Sequence, residues 1–161
     1  MEIVRPEGFR PAVIPADSPR RRYHQPEMNL TPIGHIRSTL KDRTNAPRQA
    51  TEGAPSATLE ILPAFRQAVE GLRSGDEIWI LTWLHEADRD TLKVHPRSDP
   101  RNPLAGVFAT RSPDRPNPIG LHRARLLSID NEDRLQVDAL EAIDGTPIID
   151  IKPVLKGECG R

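Results

Sequence analysis

The sequence has little of what stabilises small proteins covalently. Its 161 residues include a single cysteine, Cys159. One thiol builds neither a disulfide framework nor a cysteine-based zinc site, so we expect a reducing cytoplasmic compartment. The chain also lacks an apolar run of the roughly 18 residues that a membrane span needs, and an apolar signal core near the N-terminus. These absences favour one soluble domain, since domains have roughly 100–200 residues.

Net charge is also missing, because 23 basic side chains balance 23 acidic ones. A nucleic-acid-binding domain is usually clearly basic, so the net charge does not indicate one. Aromatic residues make up only 4% of the chain, which leaves little surface for stacking unpaired bases. Arginine is nevertheless concentrated in two stretches, and its planar fork suits phosphate and carboxylate recognition. These arginines are Arg5, Arg10, Arg20, Arg21, Arg22, Arg97, Arg101, Arg111, Arg115, Arg123 and Arg125.

Proline, by contrast, is abundant, with 17 residues. Because proline fixes φ and removes a backbone donor, this number argues against an all-helical fold and for stiff loops. Prolines interrupt every possible helix in residues 1–29, which we interpret as an arm that is disordered or lies along another surface. The periodic part of the chain is 30–155, and 156–161 is a short tail.

The periodic part predicts a mainly β domain with one main α-helix. The helix is expected after Pro63, because apolar residues from Phe65 to Leu72 recur at helical spacing. A polar loop is expected over 40–57. Strands predominate among the other segments, which favours a small antiparallel β-barrel, and no Gly-x-Gly-x-Gly turn of a Rossmann methyltransferase is present. The predicted strands are 33–37, 78–84, 91–95, 106–110, 119–129, 135–142 and 148–152, of which 78–84 is apolar on both faces.

The segment 106–120, GVFATRSPDRPNPIG, is the most informative part of the chain. Its three prolines restrict the backbone of a loop that carries Arg111, Arg115 and Asn117. A stiff loop with polar side chains is suited to a preorganised small-molecule site. The alternative interpretation is a rigid corner between barrel strands with solvated arginines, and local sequence does not separate the two.

This segment resembles the signature of the TrmO-like (YaeB-like) methyltransferase family. Three further segments resemble the same family in the same order: 46–49 (APRQ), 83–85 (WLH) and 144–153 (DGTPIIDIKP). The resemblance covers about residues 30–155. It implies a small β-barrel, S-adenosyl-L-methionine as cofactor, and a homodimer with the cofactor site near its interface. It also implies methylation of the exocyclic nitrogen of threonylcarbamoyladenosine at position 37 of tRNA.

The resemblance implies a set of cofactor-binding residues spread over four segments. Taken singly, most have ordinary explanations: Asp144-Gly145 is a common turn pair, and His85 is acceptable at a strand end. Their joint occurrence with the proline-rich segment favours the functional interpretation. The expected cofactor contacts are Pro47, Arg48, Gln49, His85, Glu86, Arg111, Leu121, Asp144, Gly145, Thr146 and Pro147.

The sequence does not select a general base for the acceptor nitrogen, and proton loss to water is an alternative. The candidates are Asp114, Asn117, His122 and Asp144. We expect no metal, since His85, Asp88, His95 and His122 fit no familiar zinc spacing and transfer from a sulfonium needs no metal.

RNA recognition is harder to place, because larger family members carry a further C-terminal domain and this sequence ends soon after Pro153. One hypothesis is that the cluster 20–22 and the arginines of 97–125 contact phosphates, which predicts salt-sensitive binding. Two alternatives stay open: the same fold and cofactor with another RNA or a small molecule as acceptor, and a non-catalytic module that binds S-adenosylmethionine.

Arg111→Ala is expected to weaken cofactor binding by ~1.5–3 kcal/mol, the contribution of a hydrogen bond to a charged group, without unfolding the domain. Calorimetric titration with S-adenosylmethionine measures this loss. Unchanged affinity in a folded variant would show that the pocket has been placed wrongly.

Overall fold

The computed structural model describes residues 29–155, which form a closed barrel of six strands and a separate two-stranded sheet. The predicted N-terminal arm (except Asn29), the tail and Cys159 lie outside the described residues. The barrel strands are β1 (Gly34–Arg37), β2 (Ala57–Ile61), β3 (Glu77–Trp83), β6 (Ile119–Ile129), β7 (Arg134–Val137) and β8 (Pro147–Pro153). The small sheet pairs β4 (Lys93–Val94) with β5 (Ala105–Gly106).

Every pairing in the barrel is antiparallel, and the strand order is β1-β2-β7-β6-β3-β8, with β8 returning to β1. The longest ladder joins β3 to β6 over seven residue pairs, from Glu77↔Arg125 to Trp83↔Ile119. Closure leaves no unpaired strand edge in the sheet. The predicted antiparallel barrel architecture is therefore confirmed.

The core fills the barrel interior because alternate side chains of a strand point to the same face. On β3, Ile78, Ile80 and Thr82 are buried, whereas the residues between them, including Trp79, are only half-buried on the outer face. The prediction that both faces of this strand are covered is therefore correct for the inner face, whereas the outer face is only half-buried. The buried apolar cluster is Ile36, Ala57, Leu59, Ile61, Val69, Ile78, Ile80, Ala124, Leu126, Leu135, Val137, Leu140, Ala142 and Ile148.

The predicted α-helix is a 3₁₀-helix, Pro63–Val69. Its position is correct, with proline in the first turn, but its backbone bonds close after three residues, as in Glu70 N–H to the Gln67 carbonyl at 3.3 Å. Val69 is its one buried residue, so the segment lacks the broad apolar stripe that stabilises an α-helix by packing. Within 29–155, no helix has the length and apolar character to cross a bilayer.

Several strand boundaries also differ from the prediction. The segment 106–110 is not a strand: β5 ends at Gly106 and Val107–Ala109 form a 3₁₀-turn. Its short partner β4 offers only two paired residues, so the ladder cannot continue. Strand β7 ends at Val137. The Asp138 N–H still donates to the Arg125 carbonyl, but the Arg125 N–H donates to the Asp138 carboxylate and not to a backbone carbonyl, so the regular ladder stops there. Strand β2 was missed, since its five residues lie between proline-containing loops.

Buried and exposed leucines of the barrel are expected to contribute differently to stability. Leu59 on β2 is fully buried, so Leu59→Ala is expected to lower the free energy of unfolding by ~2–5 kcal/mol through lost burial and a residual cavity. Leu127→Ala is the control, because Leu127 is 45% exposed on the outer face of β6 and surface changes stay within about 0.5 kcal/mol. Equilibrium urea unfolding compares the two, and equal losses would contradict this assignment of the barrel's two faces.

Candidate functional site

The loops that carry the predicted site meet at one end of the barrel. The C-terminal end of β3 pairs with the start of β6 and lies beside the start of β8, as Trp83↔Ile119 and Thr82↔Ile148 show. The end of β1 pairs with the start of β2. The loops 38–56, 84–118 and 138–146 therefore gather at the same end, although they are far apart in sequence.

An open cleft of about 1530 Å³ lies between these loops. Its volume exceeds the ~300–1,000 Å³ of typical small-molecule pockets, which leaves room for a nucleotide-sized cofactor and part of an acceptor. Eight predicted cofactor residues line it: Pro47, Arg48, Gln49, His85, Glu86, Arg111, Leu121 and Thr146. The candidate bases Asp114 and His122 also line it, whereas Asn117, Asp144, Gly145 and Pro147 lie outside its lining.

Asp144 connects the end of β1 to the start of β8. Its carboxylate accepts the Ser38 N–H at 3.0 Å and pairs with the Lys41 Nζ at 2.9 Å. The Lys41 hydrogen bond, followed by that of Ser38, lowers the pKa of Asp144 below its usual value. The next residue, Gly145, has φ 76 and donates its N–H to the Ile36 carbonyl. These contacts make Asp144-Gly145 a structural turn and Asp144 a poor general base.

Asp114 is held by Arg43, a residue that the sequence analysis did not single out. The Arg43 guanidinium donates to both Asp114 carboxylate oxygens at 2.8 and 2.9 Å, and to the Glu86 carbonyl at 2.8 Å. The Asp88 N–H also donates to Asp114 at 2.9 Å. Arg43 thus joins the loop 38–56 to two points of the loop 84–118, and the occupied carboxylate of Asp114 is badly placed to accept a substrate proton.

Arg115 stabilises the proline-rich loop from within. Its guanidinium donates to the carbonyls of Val107, Thr110 and Ser112, at 3.1, 2.7 and 2.8 Å. Elsewhere on the rim, Arg97 pairs with Glu52 at 2.7 Å. Both arginines therefore have intramolecular roles that a solvated or phosphate-binding arginine would not have.

Two cleft arginines differ from these. Arg48 and Arg111 are exposed, and their guanidinium groups make no hydrogen bond or ion pair with any residue of 29–155. Arginines of this kind are available to bind an anionic ligand group in a bidentate manner. The hypothesis that the arginines of 97–125 contact phosphates therefore has fewer candidate residues, because Arg101, Arg123 and Arg125 pair with carboxylates. The other part of that hypothesis, the cluster 20–22, lies outside the described residues.

A buried polar chain connects the barrel core to the cleft. The Thr82 Oγ1 lies 2.9 Å from the His122 Nε2, and the His122 Nδ1 lies 2.8 Å from the Glu141 Oε1. The side chain of His122 is 6% exposed and that of Glu141 is 20% exposed. Because both ring nitrogens have partners inside the protein, His122 is not placed to take a proton from a substrate.

Gly120 makes this chain possible. A Cβ built there would lie 2.3 Å from the Thr82 Oγ1 and 2.6 Å from the His122 Nε2. Either distance is far below van der Waals contact, so the Thr82–His122 hydrogen bond depends on the missing side chain of its neighbour. Glycine at the end of the proline-rich segment therefore has a packing role.

Glu141 is ionised more readily than an ordinary glutamate. Burial raises the pKa of its carboxyl, but the hydrogen bond and charge of His122, with a contribution from the charge of Arg111, outweigh burial and lower it below the usual value. In the part of the chain that the structure covers, no group of three or more His, Cys, Asp or Glu side chains is arranged to hold a metal ion.

Comparison with known proteins agrees with this arrangement. The profile of the tRNA-methyltransferase O N-terminal domain matches residues 35–157. The chain belongs to this family. A probable S-adenosyl-L-methionine-binding protein of Pyrococcus horikoshii is 50% identical over 127 residues, which cover 76% of this chain and 79% of the relative. A protein of the same description from Methanothermobacter thermautotrophicus is 42% identical over 127 residues, covering 79% and 90%.

Solved TrmO-family structures show the same fold. A crystal structure of TrmO from Pseudomonas aeruginosa superposes with a TM-score of 0.66 at 34% identity, covering 86% of this chain. The match spans only 62% of the neighbour's chain. Family membership accounts for the four motifs, whereas Arg43 and Glu141 lie outside the segments that carried the resemblance. Glu141 stands three residues before Asp144, where the last of the four motifs begins, and no local pattern marks it as the partner of His122.

The packing of Gly120 is testable by substitution. Gly120→Ala is expected to destabilise the domain by ~1–3 kcal/mol, because the new Cβ overpacks the Thr82–His122 contact. Gly106→Ala is the matched control: a Cβ at Gly106 meets nothing within 4 Å, so the change is expected to be neutral or slightly stabilising. Urea unfolding of both variants provides the comparison, and a neutral Gly120→Ala would argue against the buried chain.

Proposed function

We propose that this TrmO-family chain transfers the methyl group of S-adenosylmethionine to the exocyclic nitrogen of threonylcarbamoyladenosine at position 37 of tRNA. An S-adenosylmethionine-dependent methyltransferase is the function class that family membership supports. The tRNA position and the modified base are our extension of that class. Action on tRNA agrees with the cytoplasmic location expected from the sequence.

The observation that carries the proposal is the convergence of eight expected cofactor residues on one cleft. The cleft also contains Arg48 and Arg111, whose guanidinium groups have no bonded partner among residues 29–155. S-adenosylmethionine carries a carboxylate, a cationic sulfonium and a nucleoside. An unpaired guanidinium fits the carboxylate, and the cleft volume accommodates the nucleoside with space for an acceptor base. The residues present therefore fit the cofactor.

The cofactor supplies a methyl carbon already activated by positive sulfur. The residues of the cleft contribute by aligning the two reactants and limiting water around them. Of the candidate bases, Asp114, Asp144 and His122 are occupied by protein partners. The fourth, Asn117, has an amide, which is not basic. We therefore favour release of the acceptor proton to solvent over transfer to any of these four residues.

A homodimer with the cofactor site near its interface remains part of the proposal. Large apolar side chains are exposed beside the cleft, including Phe108 at 82%, Leu92 at 64% and Leu104 at 56%. Ile119 and Leu121, at 44% and 47%, line the cleft itself. We propose these exposed apolar side chains as the interface, and a second copy seated there would border the cofactor.

A different acceptor is the second candidate, with the same fold and cofactor. It is favoured by the zero net charge and by the intramolecular pairing of five of the six arginines in 97–125. Those pairings leave Arg111 as the one arginine of that group without a bonded partner among residues 29–155. A non-catalytic module that binds S-adenosylmethionine would share this cleft, and it is less well supported because family membership supports a methyltransferase.

The deciding experiment uses bulk tRNA from a strain that lacks the native methylation. Incubation with the protein and S-adenosylmethionine is expected to add one methyl group to threonylcarbamoyladenosine, detected by mass spectrometry of the digested nucleosides. Arg111→Ala is expected to reduce the yield at subsaturating cofactor, and Glu60→Gln, on the barrel wall away from the cleft, to leave it unchanged. Cofactor binding without methylation of any tRNA nucleoside would refute the proposed acceptor and favour the second candidate.

A further inference from the structure

The cleft contains a carboxylate and a guanidinium of opposite charge that do not pair with each other. Glu141 and Arg111 both line it, and no ion pair joins them, although the charge of Arg111 reaches the Glu141 carboxyl. We propose that the two form a receptor for the α-amino-acid end of S-adenosylmethionine, in which Glu141 binds the ammonium and Arg111 the carboxylate. This inference rests on the cofactor position proposed above and adds Glu141 to it.

The Glu141 carboxylate is fixed on one side and open on the other. Its Oε1 is bonded to the His122 Nδ1 at 2.8 Å, and His122 is itself held by Thr82 at 2.9 Å. The Oε2 receives no hydrogen bond from any other residue of 29–155, and it is not a buried orphan, since no buried side-chain oxygen or nitrogen there lacks a partner. One oxygen is therefore accessible from the cleft while the other sets the orientation.

The other carboxylates of the cleft are less suitable. Glu77 is paired with Arg123 and Arg125, and Asp114 is held by Arg43. Asp138 accepts the Arg125 backbone N–H at 2.8 Å. Glu86 is exposed, so water already solvates its charge. Of these five, Glu141 and Asp138 each combine partial burial with one oxygen held by a neighbour and one oxygen that no other residue of 29–155 bonds. Glu141 is the one of the two whose carboxyl the charge of Arg111 reaches.

Partial burial explains why the partner should be a cation. At 20% exposure, the carboxylate of Glu141 has lost much of its hydration, and His122 returns only one hydrogen bond. A ligand ammonium at the Oε2 would compensate that loss with a charge-assisted hydrogen bond. Arg111 lines the same cleft and has no bonded partner among residues 29–155, so it offers the matching site for the carboxylate on the same ligand carbon. His122 is accordingly a positioning residue.

A thermodynamic cycle tests the proposal. It compares wild type with Glu141→Gln, and S-adenosylhomocysteine with its analogue that lacks the amino group. Glutamine keeps an acceptor for the His122 Nδ1 and removes the charge, so the fold should persist. The variant is expected to bind S-adenosylhomocysteine about 10- to 100-fold more weakly than wild type, which is the range of a charged hydrogen bond. Because the analogue lacks the ammonium, the substitution should change its affinity by less than about threefold.

Glu60→Gln is the matched control, since it removes the same charge from a barrel strand and should leave both affinities unchanged. Equal weakening of both ligands by Glu141→Gln would overturn the proposal, because it would show a general effect on the cleft. Should the variant not fold, wild type alone decides: equal binding of S-adenosylhomocysteine and the amino-free analogue contradicts an ammonium site.

This test is independent of the proposed acceptor. A protein that passes the cycle but does not methylate tRNA would retain the amino-acid receptor and lose the tRNA assignment. A protein that binds neither S-adenosylmethionine nor S-adenosylhomocysteine would contradict both the receptor and the cofactor site.

Discussion

The ladder between β3 and β6 determines the geometry on which the rest of the site depends. Its register places Thr82 opposite Gly120 and Ile80 opposite His122. With no side chain at Gly120, the Thr82 hydroxyl reaches the His122 ring diagonally across the ladder, and His122 in turn reaches Glu141. A register shift of one residue would turn these side chains to the outer face of the barrel. The register of β3 and β6 and the absence of a side chain at Gly120 therefore together allow the Thr82–His122–Glu141 hydrogen bonds to form.

Arginine has two distinct roles at the open end of the barrel. Arg43 and Arg115 satisfy carbonyls and a carboxylate within and between loops, and so hold the cleft in shape. Arg48 and Arg111 have no such partners within the described part of the chain, 29–155, and can bind a ligand. Since Arg43 and Arg115 already hold the loops in place, the loop backbones lose little conformational freedom when a ligand binds.

The hydrogen bonds around the cleft also bear on which residue could act as a general base. Each of the two aspartates considered as bases stabilises a loop junction, and the histidine is enclosed between a hydroxyl and a carboxylate. The cleft is thus better equipped to bind and orient a charged nucleotide than to take a proton from an acceptor. Displacement at an activated methyl carbon requires mainly alignment, which agrees with a site that has many positioning contacts and no placed general base.

Local sequence determined the class of this protein and the position of its most informative segment. Alternation of apolar residues predicted β6 with its observed bounds, and the motif around Arg111 pointed to the family. Local patterns did not predict β2 or the 3₁₀ character of Pro63–Val69, because short segments depend on the neighbours they pack against. Only the tertiary structure decided which charges are neutralised. Arg43 meets Asp114 across 71 residues and His122 meets Glu141 across 19, and such pairings follow from strand order and barrel closure, which no local spacing encodes.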